Sequence, residues 1–175
     1  IIFGLAIANK YFSFVHNDLH NDNILFAKTL EKYLYYDVYG VIYRIPTYGL
    51  VAKIIDFARA TIKVKDHNIL SDMFKINCEA VGQYIHPDDK DFIDVDEFYG
   101  ATEPNPGFDI ARLARALIDN LDDYTKIRKA FRRWCVCDDG SNILDEPDDF
   151  ALYINIARNC HKSIPKDIIT DKLFN

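Results

Sequence analysis

The chain has 175 residues, of which 49% are hydrophobic and 27% charged, enough apolar material for one packed core in a single domain. A formal net charge of −6 excludes the basic excess of a phosphate-backbone binder, so no nucleic-acid partner is expected. The longest apolar run, Ile1 to Ala8, is too short for a bilayer and lacks the flanks of a signal peptide, which excludes a membrane anchor or export signal in this stretch. Four cysteines (Cys78, Cys135, Cys137, Cys160) are too sparse for a disulfide scaffold and form no paired CxxC zinc pattern. They read as reduced thiols in an intracellular protein. The chain begins with Ile inside an apparent helix, which predicts a piece of a longer protein.

Ile2, Leu5, Ala6 and Asn9 keep helical spacing, predicting a helix to about Tyr11, and the polar cluster after Val15 predicts a loop. Ile24–Phe26 reads as a short strand. Tyr33 to Ile45 alternates large apolar residues around a turn at Asp37–Gly40, which predicts a hairpin, and Pro46–Gly49 is a second turn. Leu50–Ile55 is the strongest strand signal and is expected to be buried, delivering Asp56 at its end. From Arg59 to Gly107 the pattern weakens into a long irregular segment with short helical turns. A helix opens at Asp109, where Ile110, Leu113, Ala114, Leu117 and Ile118 recur at helical spacing and predict a central core helix. Further helices are predicted at Tyr124–Cys135, at Pro147–Cys160 with Asp148 and Asp149 in its first turn, and at Pro165–Phe174, so the C-terminal half is expected to be nearly all helical.

The chemistry concentrates in His16-Asn17-Asp18-Leu19-His20-Asn21-Asp22-Asn23, where a carboxylate and an amide lie five residues apart on a loop between helix and strand, followed by Asp56. A carboxylate to take a hydroxyl proton, with an amide and a second carboxylate to hold magnesium against phosphate oxygens, is the set that phosphoryl transfer requires. In motif order, too, these residues resemble the His-Arg-Asp-Leu-x-x-x-Asn loop and Asp-Phe-Gly motif of the protein-kinase superfamily.

That resemblance implies an α+β fold of the kinase C-terminal-lobe type, mostly helical with short strands and a hairpin insertion, and with the N-terminal lobe absent from the chain. It implies ATP and Mg2+ as cofactors, Asp18 as catalytic base beside His20, Asn23 and Asp56 as metal ligands, and Phe57 packed at the cofactor site. His16 would brace the loop, and Asp109 would accept hydrogen bonds from the loop backbone. Within the superfamily the chain most resembles haspin-like kinases, including relatives encoded by large DNA viruses. His20 after the Leu, the insertion between Asn23 and Asp56 that ends in Ile45-Pro46-Thr47-Tyr48-Gly49-Leu50, and the lack of an Ala-Pro-Glu motif carry this. The expected activity is transfer of the ATP γ-phosphate to serine or threonine of a protein, a basic peptide among the candidates, in an intracellular setting that includes an infected host cell. Without an N-terminal lobe the isolated chain is expected to be inactive.

Two departures stand out. Asn17 replaces an Arg that in many kinases pairs with a phosphorylated loop, and Ala58 replaces the Gly of the motif. Other readings stay open: a small-molecule kinase of the aminoglycoside or choline type, a pseudokinase scaffold, or a zinc cluster at His16, Asp18 and His20. His20 either contacts phosphate or packs on the loop. The basic stretch Lys126, Arg128, Lys129, Arg132, Arg133 reads first as a solvated face, with Ile127, Ala130, Phe131 and Trp134 turned inward. The acidic set Asp88, Asp89, Asp91, Asp94, Asp96, Glu97 reads first as a solvated loop, and second as an attractor for a basic peptide.

Overall fold

The apolar N-terminal run folds as helix α1 (Ile2–Phe12), with Phe3, Leu5 and Ala6 buried, in the computed structural model, which describes residues 1–91, 100–101, 103–122 and 125–174. Its end is set by Ser13 in the left-handed region (φ 46°), which returns the chain to the helix through hydrogen bonds to Ala8 and Asn9 carbonyls. Strand β1 (Ile24–Lys28) then pairs antiparallel with β4 (Leu50–Ile54), in the register Ile24 opposite Ile54. Between them the chain makes the expected hairpin, β2 (Tyr33–Val38) and β3 (Val41–Pro46). Its two-residue turn places Tyr39 and Gly40 at φ 55° and 81°, the primed geometry that matches strand twist, and Asp37 accepts from the Gly40 N–H at 3.0 Å.

The strand before Asp56 differs from expectation. It ends at Ile54, and its residues are half-buried or exposed, with β1 as its strand partner and Ile54 packed against the core. The segment expected to be irregular also contains a third ribbon, β5 (Ile62–Val64) with β6 (His67–Ile69). Its turn carries Lys65 at φ 55°, a residue with no turn signature, which is why the pattern was invisible.

Helix α2 (Phe108–Leu117) is the expected central helix: every residue from Phe108 to Ala114 is buried, and α3 (Lys126–Trp134) and α4 (Phe150–Asn159) pack against it. The later helices are shorter than predicted. Asp149 caps α4 by accepting from the Ala151 N–H at 2.9 Å, while Asp148 pairs with Arg112 at 3.2 Å, so neither lies in its first turn. Helix α5 (Pro165–Ile168) stops after four residues, where Asp171 is drawn to Arg133 at 2.6 Å. The predicted start at Tyr124 lies outside the described residues.

Residues 135–148 hold turns, an antiparallel bridge between Val136 and Asn142 and a single 3-10 turn at Ile143–Asp145, so the C-terminal half is not nearly all helical. Cys137 and Cys160 are bonded to each other, against the reading of reduced cysteines; α4 returns its C-terminus to the segment after α3, a contact that sequence spacing does not reveal. Cys78 and Cys135 are free thiols, and burial pushes the Cys135 thiol up to about 12. On α3, Ala130 and Trp134 are buried as expected, but Ile127 is 43% exposed. Arg128 turns in instead, donating to the carbonyls of Ile118 and Leu121 at 2.6 Å. Lys126, Lys129 and Arg133 share one face beside Lys172 and Leu173. Among the described residues, no helix is long and apolar enough to cross a membrane.

Ile156 is fully buried on α4 within the cluster around α2. Ile156→Ala should lower unfolding stability by about 2–5 kcal/mol, read as a shifted urea midpoint at unchanged slope.

Candidate functional site

The loop after α1 is held from beneath. Val15 exchanges backbone hydrogen bonds with Thr61 at 3.0 and 2.8 Å, and the next two backbone N–H groups, of His16 and Asn17, donate to the two carboxylate oxygens of Asp109 at 2.8 and 2.9 Å. Asp109 sits in the first turn of α2, where the helix dipole favours a negative charge, yet it is almost wholly buried. Burial raises its pKa above the ordinary carboxylate value, against the opposing pull of the two N–H donors.

His16 is fully buried and turned inward: its Nε2 lies 2.9 Å from the carbonyl of Ile55, which can only accept, so Nε2 carries the proton. Its ring rests 5.4 Å from that of Phe57, itself 55% exposed. A zinc cluster with Asp18 and His20 is therefore contradicted, and among the described residues no group of three or more His, Cys, Asp or Glu side chains is arranged to hold a metal. Asn17, also fully buried, has its amide saturated. It donates to the Val15 and Arg59 carbonyls and the Thr61 hydroxyl, and accepts from the Tyr84 hydroxyl at 2.7 Å.

Hydrogen bonds to backbone carbonyls tie together Asp18, Asn23 and the residue before Asp56. The Asn23 amide nitrogen donates to the Asp18 carbonyl at 2.8 Å, which fixes the amide's orientation and leaves Oδ1 without a hydrogen bond among the described residues. The Ile55 N–H donates to the Asn23 carbonyl at 3.0 Å, extending the β1–β4 ladder so that Asp56 follows directly beside Asn23. Asp56 is exposed, at φ 60°, and eases that conformation by accepting from the Ala58 N–H at 3.3 Å. An amide oxygen and an exposed carboxylate suit a hard cation such as Mg2+, which takes few protein ligands and keeps water and phosphate oxygens. His20 faces both partners, with Nε2 3.2 Å from Asn23 Nδ2 and 3.7 Å from Asp18 Oδ1, so it packs within the loop. Beside Phe57 opens an apolar cavity of about 490 Å³, lined also by Leu5, Ala8, Phe14 and Ile54.

Two residues at the site escaped the sequence reading. Tyr153, on α4, donates its hydroxyl to Asp18 Oδ1 at 2.8 Å, across 135 residues of chain. Arg59 stands 4.0 Å from the same oxygen and is paired with Glu79 at 2.9 Å. No local pattern marks a tyrosine on a helix as a partner of a distant loop. Of the acidic set, Asp88 pairs with Lys75 at 3.0 Å and Asp89 accepts from the Ile76 N–H, while Asp94, Asp96 and Glu97 lie outside the described residues.

Comparison with known proteins finds partial similarity. A stretch of 60 residues, 34% of the chain, is 40% identical to the serine/threonine-protein kinase haspin of Mus musculus, covering 8% of that protein. Another match of 61 residues is 41% identical to an uncharacterised protein of Invertebrate iridescent virus 6, over 33% of the chain and 10% of the relative. A third, of 60 residues, is 33% identical to an uncharacterised Caenorhabditis elegans protein, over 34% of the chain and 20% of the relative. The matches thus span a fifth or less of each of these relatives. No family model matches the chain.

Replacing Asp109 by Ala strips two buried N–H groups of their acceptors and should cost about 2–5 kcal/mol in urea unfolding. Because the native carboxyl titrates above its unfolded value, its contribution is full at low pH and is lost as pH rises through the raised value. The deficit of the variant should accordingly shrink between about pH 4 and pH 7.

Proposed function

We propose that this chain carries the catalytic residues of a haspin-like serine/threonine protein kinase, in an arrangement of the kinase C-terminal-lobe type. One observation carries the reading: Asn23 Nδ2 donates to the Asp18 carbonyl and the Ile55 N–H donates to the Asn23 carbonyl, so that Asp18, Asn23 and the residue before Asp56 are tied to one another. The similarity of a 60-residue segment to haspin supports it.

In this reading Asp18 orients the acceptor hydroxyl and takes its proton as the oxygen attacks the γ-phosphorus of ATP. The bond from that phosphorus to the bridging oxygen breaks, and ADP leaves. Asn23 Oδ1 and the Asp56 carboxylate would hold Mg2+, which when bound neutralises phosphate charge. His16 keeps the loop and the residue before Asp56 at fixed separation through its bond to Ile55. Catalysis is then chiefly positioning and electrostatic stabilisation. Asn17 has no hydrogen-bonding capacity left for a loop phosphate, since its amide is satisfied by Val15, Arg59, Thr61 and Tyr84.

In the full-length protein, Asp18→Asn should reduce phosphate transfer to a serine- or threonine-bearing basic peptide by about a thousandfold or more in a radiolabelled-ATP assay. Asp56→Ala should abolish Mg2+-dependent nucleotide binding, measured by calorimetry. Transfer to small alcohols in place of peptides would overturn the protein-substrate reading. Phosphatase treatment should leave activity unchanged; a strict requirement for a phosphate between Ala58 and Gly107 would contradict the role given to Asn17.

A further inference from the structure

The two oxygens of Asp18 are not equivalent. Tyr153 donates its hydroxyl to Oδ1 at 2.8 Å, and His20 Nε2 and Arg59 Nη1 stand 3.7 and 4.0 Å from that same oxygen. Among the described residues, Oδ2 receives no hydrogen bond. The side chain is about a fifth exposed, so the free oxygen can reach a bound molecule.

Tyr153 is itself held firmly. The Arg112 guanidinium lies 4.9 Å over its ring, and the rings of Phe150 and Phe108 lie 5.8 and 5.9 Å away. Arg112 belongs to α2, the helix whose Asp109 fixes the backbone just before Asp18. The backbone and the carboxylate of the loop are thus oriented from one rigid support, through Asp109 and through Arg112 and Tyr153.

The geometry points to Tyr153 as a positioning residue for Asp18: it pins Oδ1 and turns Oδ2 toward the acceptor hydroxyl. This rests on the reading of Asp18 as the base of a phosphoryl transfer. The other charged groups facing Asp18 are His20 from its own loop, Arg59 from the segment after β4, and the buried Asp109 from α2.

The test is Tyr153→Phe in the full-length protein, which removes the donor and keeps the ring packing. Expected is a kcat about tenfold lower with KM for ATP unchanged. Phe150→Leu removes one neighbouring ring without touching the hydroxyl, and should lower kcat by much less. Wild-type kcat in Tyr153→Phe would overturn the proposal, as would an equal loss of kcat in Phe150→Leu. So would a rise in kcat, which would make the hydroxyl an occupant of the acceptor's place. If Asp18→Asn keeps its activity, the kinase reading itself fails; if that variant is inactive while Tyr153→Phe behaves as wild type, only the positioning role fails.

Discussion

The carboxylate of Asp109 organises this molecule. It is buried at the start of α2 and spends both oxygens on the backbone of His16 and Asn17, more than ninety residues earlier in the chain. Such a burial is costly for an ionised group, as the upward displacement of its pKa records. The cost is offset by two hydrogen bonds and by the helix N-terminus, and the arrangement is met by one backbone conformation of the loop, with Asn17 at φ 64°. The orientation of Asp18 follows from that conformation.

A second set of buried amides extends the constraint outward. Asn17 accepts from the Tyr84 hydroxyl, the Asn105 N–H donates to the same hydroxyl at 3.3 Å, and the Asn105 amide donates to the carbonyls of Ile156 and Cys160 at 2.7 and 3.0 Å. Loop, post-strand segment and α4 are linked by partners that a merely apolar core would not specify. The joint is tight at Gly107, where a Cβ would stand 3.1 Å from the Cys160 carbonyl oxygen and force it to shift. The position of Tyr153 on α4 is a consequence of the same linkage.

Local features were legible in the residues themselves. The α2 periodicity, the alternating hairpin 33–46 with its Gly40 turn, and the order His16, Asp18, Asn23, Asp56 all depend on interactions a few residues in range. The failures have local causes too. Ribbon β5–β6 turns on Lys65, a residue without turn chemistry, and the helices at the C-terminal end are cut short by capping and ion pairing that draw Asp149 and Asp171 out of helical roles.

The sequence by itself determined which side chains stand near one another along the loop, since a carboxylate and an amide five residues apart and a short strand leading toward Asp56 are properties of spacing. Only the tertiary structure decided how those groups face. The β1–β4 register sets Asp56 beside Asn23, burial turns His16 away from any metal, and α4 brings Tyr153 to one oxygen of Asp18 while leaving the other open. Hydrogen bonds across 40 to 135 positions are set by the packing of helices against α2, and no pattern of neighbours along the chain encodes them.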